Sequence, residues 1–331
     1  MTLADHLRSW DEQLDIPSFE LPGLRTYIGL YDYAEYLGRT LYSDYERDYA
    51  PNVQPFLSRL EDWILGAPSD DHKRALFELL FHIRFVARQE IHCLYQSAYR
   101  GNVIRWLMSS DGIPISKDFR ADIIGPLSRL WIGSGSDSFH LDTFFHITGA
   151  RSKSERRPAF LDLAEFPNPS AVALHMSKYG MDRVGIFEDF VGTGTQIRPA
   201  IEFILSLPNT PEVLVCPIFS TTVALDRLAD LIANPLVTYD PVVLLAGRSL
   251  LPETKPDAEP PEYMAFRHCV EQLHDLVAHP DPDAMNPYGF GRLGVLLVQF
   301  GNSPDNSPPL IWNDSDKWQS LFPRKRREGK G

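Results

Sequence analysis

Residues 184–196, with the sequence VGIFEDFVGTGTQ, bring together two kinds of chemical group that bind ligands. Two adjacent carboxylates, Glu188 and Asp189, end a run of apolar residues. The loop that follows them is rich in glycine and threonine and consists of Gly192, Thr193, Gly194, Thr195 and Gln196. A glycine-rich turn that opens a helix leaves several backbone N–H groups without intrahelical acceptors, near the positive end of the helix dipole. The loop therefore suits a phosphate group.

The two acids need a different ligand, because a carboxylate beside a phosphate repels it. An ionised carboxylate accepts hydrogen bonds, so the hydroxyl groups of a sugar are suitable partners. A Mg²⁺ ion held through water is also suitable. The acid pair and the loop together predict a site for a ribose 5-phosphate. The alternative is an ordinary turn between a strand and a helix, with two acids on the surface.

A second glycine loop, GSGSDSF at residues 133–139, stands before the helical pattern DSFHLDTFF. Its candidate ligand-binding residues are Gly133, Ser134, Gly135 and Ser136, with Arg129 nearby in the sequence. The alternative is a capping turn in which Ser136 or Asp137 accepts hydrogen bonds from the first amide groups of the next helix.

Short apolar runs alternate with amphipathic helical patterns over most of the chain and must position these loops. The runs that predict strands are ADIIGPL, PAFLDLA, RVGIFEDF, EVLVCPIF, PVVLLAG and LGVLLVQF. Several are continuously apolar, as is typical of strands covered on both faces. The pattern predicts an α/β fold with a mostly parallel sheet and helices on both faces. Ligands of such sheets bind outside the carboxyl ends of the strands.

The N-terminal part of the chain shows a helical period instead. In the stretch RALFELLFHIRFVARQEIHCLYQSAYRGNVIRWLM, apolar residues recur every three or four positions, and Ser69 with two following aspartates marks its start. We therefore predict three parts. They are a helical N-terminal region over residues 1–110, an α/β domain over residues 111–323 and a basic tail over residues 324–331.

The segment RVGIFEDFVGTGTQ resembles the signature of the type I phosphoribosyltransferases, in which an apolar strand is followed by two acids, two apolar residues and a threonine–glycine loop. The resemblance implies that Glu188 and Asp189 contact the ribose hydroxyls of phosphoribosyl pyrophosphate, while residues 192–196 hold its 5-phosphate. It also implies that residues 133–136 bind pyrophosphate. Mg²⁺ is then expected indirectly, through the pyrophosphate and the ribose hydroxyls.

Two positions of the 5-phosphate loop depart from the family pattern. Gly192 stands where the family has its first threonine, and Gln196 stands where the family has a threonine donor. The segment at residues 301–324, GNSPDNSPPLIWNDSDKWQSLFPR, adds a second resemblance. Together with EDFVGTGTQ, it is similar to a divergent phosphoribosyltransferase-like family met in bacterial conflict and anti-phage systems. This resemblance implies a defence context and a partner protein from such a system.

The leading hypothesis for function is an enzyme that transfers a ribosyl phosphate from phosphoribosyl pyrophosphate to a nitrogenous acceptor. The alternative is a non-catalytic nucleotide-sensing or regulatory module on the same fold, which the departures at Gly192 and Gln196 favour. A third hypothesis is a toxin-like effector that modifies a nucleotide or nucleic acid, and only the basic tail supports it.

The amino-acid composition indicates which classes of partner and which cellular compartment are expected. The chain of 331 residues has a formal net charge of −12, which disfavours a general electrostatic attraction to nucleic acid. The basic stretches are local, at residues 151–158 and in the tail. The three cysteines stand far apart, with neither a disulfide framework nor a zinc spacing. With no signal-peptide pattern and no apolar stretch of membrane-spanning length, we expect a cytoplasmic protein.

Overall fold

The computed structural model describes residues 1–13, 26–45, 54–116, 118–136, 138–150, 168–257, 259–277 and 286–324. Its helices, in chain order, are α1 (Leu3–Glu12), α2 (Tyr27–Thr40), α3 (Phe56–Leu65), α4 (Asp70–Leu80), α5 (Arg88–Ser97), α6 (Ile104–Ser110), α7 (Phe119–Asp122), α8 (Ile124–Arg129), α9 (Leu141–Thr148), α10 (Pro169–Lys178), α11 (Arg198–Leu205), α12 (Thr222–Arg227), α13 (Ala229–Ile232), α14 (Tyr263–Gln272), α15 (His274–Val277) and α16 (Pro309–Trp312). Its strands are β1 (Arg84–Val86), β2 (Leu130–Ser134), β3 (Arg183–Val191), β4 (Glu212–Thr221), β5 (Val237–Tyr239), β6 (Val243–Leu245) and β7 (Leu297–Gln299). A π-helical turn, Ala98–Val103, joins α5 to α6.

The chain forms two compact units. The first contains Met1–Arg88 and Gly247–Gly331, and the second contains Gln89–Ala246. This division differs from the predicted domain boundaries, because the C-terminal segment packs with the N-terminal helices rather than with the main sheet. The strand LGVLLVQF, for example, contributes β7, which pairs with β1 in the first unit.

The first unit is a set of helices around an aromatic core. Its largest fully buried side chains include Trp10, Trp63, Phe77 and Trp318. The predicted start of α4 is confirmed, because Ser69 accepts a hydrogen bond from the His72 amide at 3.2 Å. An N-cap of this kind satisfies one of the amide groups that a helix leaves without an acceptor.

One part of the N-terminal helical prediction is wrong. The stretch after α4 is interrupted by β1, whose three residues pair in parallel with β7 through Arg84↔Leu297, Phe85↔Val298 and Val86↔Gln299. The apolar period continues through this short strand, so it looks helical in isolation. Pairing with a distant segment overrides the local preference.

Among the described residues, the second unit contains a five-stranded sheet in which every strand pair is parallel, with the order β2–β3–β4–β5 and with β6 also paired to β4. Helices cover both faces. On one face, Ile201 and Ile204 of α11 join a buried cluster with Val184 of β3. On the other face, Phe144 of α9 packs against Phe187 of β3, with ring centroids 4.7 Å apart. The predicted α/β fold with a mostly parallel sheet is confirmed.

Two segments that were predicted to be strands, ADIIGPL and PAFLDLA, are not among the strands of the described structure. The segment ADIIGPL is helical, within α7 and α8, and the strand follows it as LWIGS in β2. Pro126 lies in the first turn of α8, where a missing N–H costs no helical hydrogen bond. PAFLDLA lies outside the described residues. Within the described residues, every helix is too short or too polar to span a membrane.

Candidate functional site

Three loops meet at the carboxyl edge of the five-stranded sheet, because β2, β3 and β4 run parallel. The register places Ser134 opposite Phe187 and Val191 opposite Ser220. Beyond β2, the Gly135 amide donates a hydrogen bond to the Phe187 carbonyl at 3.0 Å. The loop after β2 is thereby fixed beside the last residues of β3, which carry the two acids.

Two serine hydroxyls contact the two acids. The Oγ of Ser136 donates to Oε2 of Glu188 at 2.8 Å, and the Oγ of Ser138 donates to Oδ1 of Asp189 at 2.9 Å. The two hydroxyl oxygens lie 2.7 Å from each other. Oδ1 of Asp189 also accepts a hydrogen bond from the Phe190 amide at 2.8 Å. The acids and the loop after β2 therefore form one hydrogen-bonded group.

The environment of the acids is largely shielded from water. Glu188 is only 5% exposed. Burial raises the pKa of Asp189, while the hydrogen bonds from Ser138 and Phe190 and the nearby His140 act in the opposite direction. A carboxylate that has lost water gains more from each hydrogen-bond donor that reaches it. Donors on a ligand can therefore bind strongly here.

A side chain at Gly135 would require the neighbouring side chains to shift. A Cβ atom there would stand 2.6 Å from Oε1 of Glu188 and 2.5 Å from Cδ1 of Ile197. The glycine lets the backbone after β2 pass directly over the carboxylate. The same Cβ atom would meet Ile197, which follows the loop of residues 192–196 and precedes α11.

The loop after β3 has the backbone expected of a phosphate loop. Gly194 adopts a φ of +77°, which favours glycine. Gly192, Thr193 and Gly194 are buried, while Thr195 and Gln196 are exposed. Within the described part of the chain, the amides of Gly194 and Gln196 have no assigned acceptor. These N–H groups are available to an anion at the start of α11.

Two threonine contacts hold this loop in place. The hydroxyl of Thr221, at the end of β4, donates to the Gly192 carbonyl at 2.5 Å and accepts from the Ala224 amide at 3.2 Å. It thus caps α12. The hydroxyls of Thr193 and Thr195 lie 3.0 Å apart. The Gly192 carbonyl is thereby fixed, while the amides further along the loop keep their donor capacity.

Among the predicted residues of the second glycine loop, Ser136 contacts Glu188, whereas Gly133 and Ser134 lie inside β2 rather than in the loop. Arg129 lies apart from the acids. Arg129 ends α8, just before β2, and so lies at the amino edge of the sheet, opposite the loops. There it donates to Asp182 at 2.5 Å and to Asp111 at 3.0 Å. Closeness in sequence to Gly133 was misleading, because the extended strand β2 carries the chain from one edge to the other.

Sequence reasoning missed the part played by Ser138. The alternative of a helix cap does not hold for Ser136, since α9 begins at Leu141 and its N-cap, His140, forms no side-chain capping bond. The pattern Ser-x-Ser after one strand and Glu-Asp at the end of its neighbour was the available signal. It becomes meaningful only once the register of β2 and β3 is known. The basic stretch at residues 151–158 falls outside the described residues.

The chemistry of this edge fits Mg²⁺. Carboxylate and hydroxyl oxygens are hard donors of the kind that Mg²⁺ prefers, usually together with phosphate oxygens of a ligand. Within the described ranges, no group of three or more His, Cys, Asp and Glu side chains is placed to hold a metal ion. Glu188 and Asp189 are the residues that would contact the ion or its water shell.

Similarity to known proteins indicates the family to which the chain belongs. No curated protein and no solved structure matches the chain. The model of one family, PRTase-CE, matches residues 60–324, which is most of the chain and includes the three loops and both acids. The predicted resemblance is confirmed at this level: the chain belongs to the PRTase-CE family, a phosphoribosyltransferase-like family.

Proposed function

We propose that the protein binds phosphoribosyl pyrophosphate with Mg²⁺ and transfers its ribosyl phosphate to a nitrogenous acceptor. The proposal rests on one observation. A buried Glu188 beside a half-buried Asp189, a loop with available amide donors and a serine-bearing loop lie side by side at the carboxyl edge of a parallel sheet. Membership of a phosphoribosyltransferase-like family supports a function of this class.

Each part of the ligand has a matching group in the proposal. The loop of residues 192–196 binds the 5-phosphate through its amides and threonine hydroxyls, at the start of α11. Glu188 and Asp189 accept hydrogen bonds from the ribose hydroxyls. Residues 133–136 bind the pyrophosphate. Both anionic ends are then held on either side of the acids, which face the neutral sugar.

The reaction needs positioning more than covalent chemistry. Departure of pyrophosphate leaves positive charge on the sugar ring, and the acceptor nitrogen attacks the same carbon. The phosphate loops fix the ribose between them, so that the acceptor meets the carbon in the required geometry. The buried acids orient the ribose through its hydroxyls and favour the developing positive charge. Glu188 and Asp189 would face the water shell of a bound Mg²⁺, which would supply neutralisation of the pyrophosphate charge.

Calorimetric titration of phosphoribosyl pyrophosphate, with and without Mg²⁺, tests this proposal. The double variant Glu188→Gln, Asp189→Asn is expected to bind at least about 100-fold more weakly than the wild type, because two hydrogen bonds to charged acceptors are weakened. The matched control is Asp182→Asn, Glu212→Gln, which neutralises two acids at the opposite edge of the same sheet. Its affinity is expected to equal that of the wild type. Equal binding by both double variants would refute the role of the acid pair.

A second function uses the same site without turnover. Gly192 takes the place of a hydroxyl-bearing residue, and Gln196 is exposed, so the loop carries fewer hydroxyl donors than the family pattern. A nucleotide-sensing module needs binding only. Release of pyrophosphate from bound phosphoribosyl pyrophosphate, in the presence of a panel of nitrogenous acceptors, distinguishes an enzyme from a sensor. The defence context, a partner protein and a cytoplasmic location stay predictions.

A further inference from the structure

The serine hydroxyls of Ser136 and Ser138 imitate part of a sugar. They are two neighbouring oxygens 2.7 Å apart, and each donates to a different member of the acid pair, at 2.8 Å and 2.9 Å. Neighbouring hydroxyls on one face of a ribose ring have a similar separation and the same capacity to donate. The protein therefore presents to its own carboxylates a pattern that a ribose would also present.

We propose that Ser136 and Ser138 occupy the acid pair in the ligand-free protein and must be displaced by the two adjacent hydroxyls of a ribose phosphate. This inference rests on the proposed function, because it concerns the same acids. It adds a role for the serines as competitors of the ligand, which makes the site selective for a sugar with both hydroxyls. Such a sugar restores both hydrogen bonds, whereas a 2-deoxyribose restores one and leaves a buried carboxylate poorly satisfied.

Two contacts hold the chain on either side of the serines. The backbone on one side is fixed by the hydrogen bond from the Gly135 amide to the Phe187 carbonyl. On the other side, the ring of Phe139 stacks on that of Phe187, with centroids 5.8 Å apart. In the proposed exchange, each serine side chain rotates to another staggered position and its hydroxyl leaves the acid, while these anchors remain in place.

The exchange also connects the two phosphate-binding ends of the site. While Ser136 donates to Glu188, its hydroxyl hydrogen is not available to a pyrophosphate. Once ribose hydroxyls replace the serines, the Ser136 hydroxyl is released toward the anion that accompanies the ribose. Binding of the sugar thus prepares the loop after β2 for the pyrophosphate.

The test uses ribose 5-phosphate, which lacks the pyrophosphate, so that loss of serine contacts to that group does not affect the result. Affinities are measured at pH 8 for the wild type and for Ser136→Ala, Ser138→Ala. The matched control is Ser177→Ala, an exposed serine near the end of α10. The double variant is expected to bind ribose 5-phosphate about tenfold or more tightly, since hydrogen bonds to charged groups no longer have to be broken.

Two further ligands make the interpretation specific. Inorganic phosphate carries no sugar hydroxyls and cannot displace the serines from the acids, so the gain in affinity expected for ribose 5-phosphate is not expected for inorganic phosphate in the double variant. For the wild type, 2-deoxyribose 5-phosphate is expected to bind about tenfold more weakly than ribose 5-phosphate. Thermal melting confirms that each variant is folded.

The opposite results are equally clear. Weaker or unchanged binding of ribose 5-phosphate by the folded double variant would overturn the inference, because the serines would then support the acids or have no effect. If the wild type binds phosphoribosyl pyrophosphate but the variant shows no gain, only this inference fails. If no protein binds any ribose phosphate, the proposed function fails with it.

Discussion

The two edges of the five-stranded sheet treat their acids in opposite ways. At the amino edge, Arg183 forms ion pairs with Asp111 and with Glu212, and Arg129 joins Asp111 as well. At the carboxyl edge, Glu188 and Asp189 accept hydrogen bonds from serine hydroxyls. A guanidinium neutralises a carboxylate, whereas a hydroxyl satisfies it and leaves its charge. The ion pairs of the amino edge hold neighbouring strands together, whereas the acids of the carboxyl edge keep the charge that the proposed ligand site requires.

The pKa values of the acids also differ between the two edges of the sheet. The hydrogen bonds from Arg183 lower the pKa of Asp111, while burial raises the pKa of Asp189. The folded state therefore favours the ionised form of the first acid and opposes the ionised form of the second. Stability is gained at one edge, and part of it is given up at the other, as is common for binding sites.

The largest expected effect is on stability, from Arg183→Met. Arg183 is nearly buried, and its removal leaves Asp111 and Glu212 without their main cation, so we expect a loss of about 3 kcal/mol in the free energy of unfolding. The control Arg105→Met removes an exposed ion pair with Asp240 and is expected to cost less than about 1 kcal/mol. Urea denaturation measures both. A folded Arg183→Met protein that loses phosphoribosyl pyrophosphate binding would break the separation of the two edges.

Replacement of a glycine that has a positive φ is expected to have an intermediate effect on stability. One such glycine lies at each edge of the sheet. Gly180, before β3, has a φ of +66° and open space around its Cβ position, while at Gly194 a Cβ would stand 2.7 Å from Cγ of Leu228. We expect Gly180→Ala to cost about 1 kcal/mol and Gly194→Ala about 2 kcal/mol, because only the second adds a steric clash to the strained backbone.

Chemical denaturation and phosphate titration of both glycine variants check this prediction. Phosphate affinity is expected to fall only in Gly194→Ala, whose change displaces the loop after β3. Equal costs in stability, or equal phosphate affinities, would contradict the assignment of that loop.

The smallest predicted effect is on how stability changes with pH. The contributions of Asp111 and Asp189 to stability are expected to have opposite pH dependences. Both acids have an ordinary pKa of 3.8. The stability from Asp111, whose folded pKa is lowered, is present above 3.8 and is lost as the pH falls through the folded value. The stability from protonated Asp189, whose folded pKa is raised, is present below 3.8 and is lost as the pH rises through the folded value.

At neutral pH, Asp111→Asn should therefore be less stable than the wild type and Asp189→Asn more stable. Both differences should shrink toward acid pH, where the wild-type carboxyls are protonated in both states. Unfolding free energies measured from pH 3 to pH 8 give the two signs. Variants that shift stability in the same direction at neutral pH would contradict the comparison.

Much of the site was predictable because its signals are local. The apolar run ending in Glu188 and Asp189 is buried on both faces, so its composition indicates a central strand of a parallel sheet. Gly194 requires a positive φ, and a glycine followed by a helical pattern indicates that turn. These features depend on residues within one strand and one loop, and each reflects a constraint that few residue types meet.

The remainder depends on register between distant segments. The contact of Ser138 with Asp189 exists only because β2 and β3 align Ser134 with Phe187. Arg129 is close to the second loop in sequence, but β2 lies between them and places them at opposite edges of the sheet. The strand β1 was hidden for the same reason, since its partner β7 comes from the other end of the chain. Local periodicity contains no information about these pairings.

The first compact unit, built from Met1–Arg88 and Gly247–Gly331, has a consequence for synthesis of the chain. Within this unit, the indole N–H of Trp63 donates to the Leu310 carbonyl at 2.8 Å, and the hydroxyl of Tyr45 donates to the Pro323 carbonyl at 2.6 Å. On the ribosome, these early residues emerge long before their acceptors. The sheet that carries the acids is continuous in sequence and can fold first, whereas the aromatic core of the earlier segment is completed only after residues 310–323 have been synthesised.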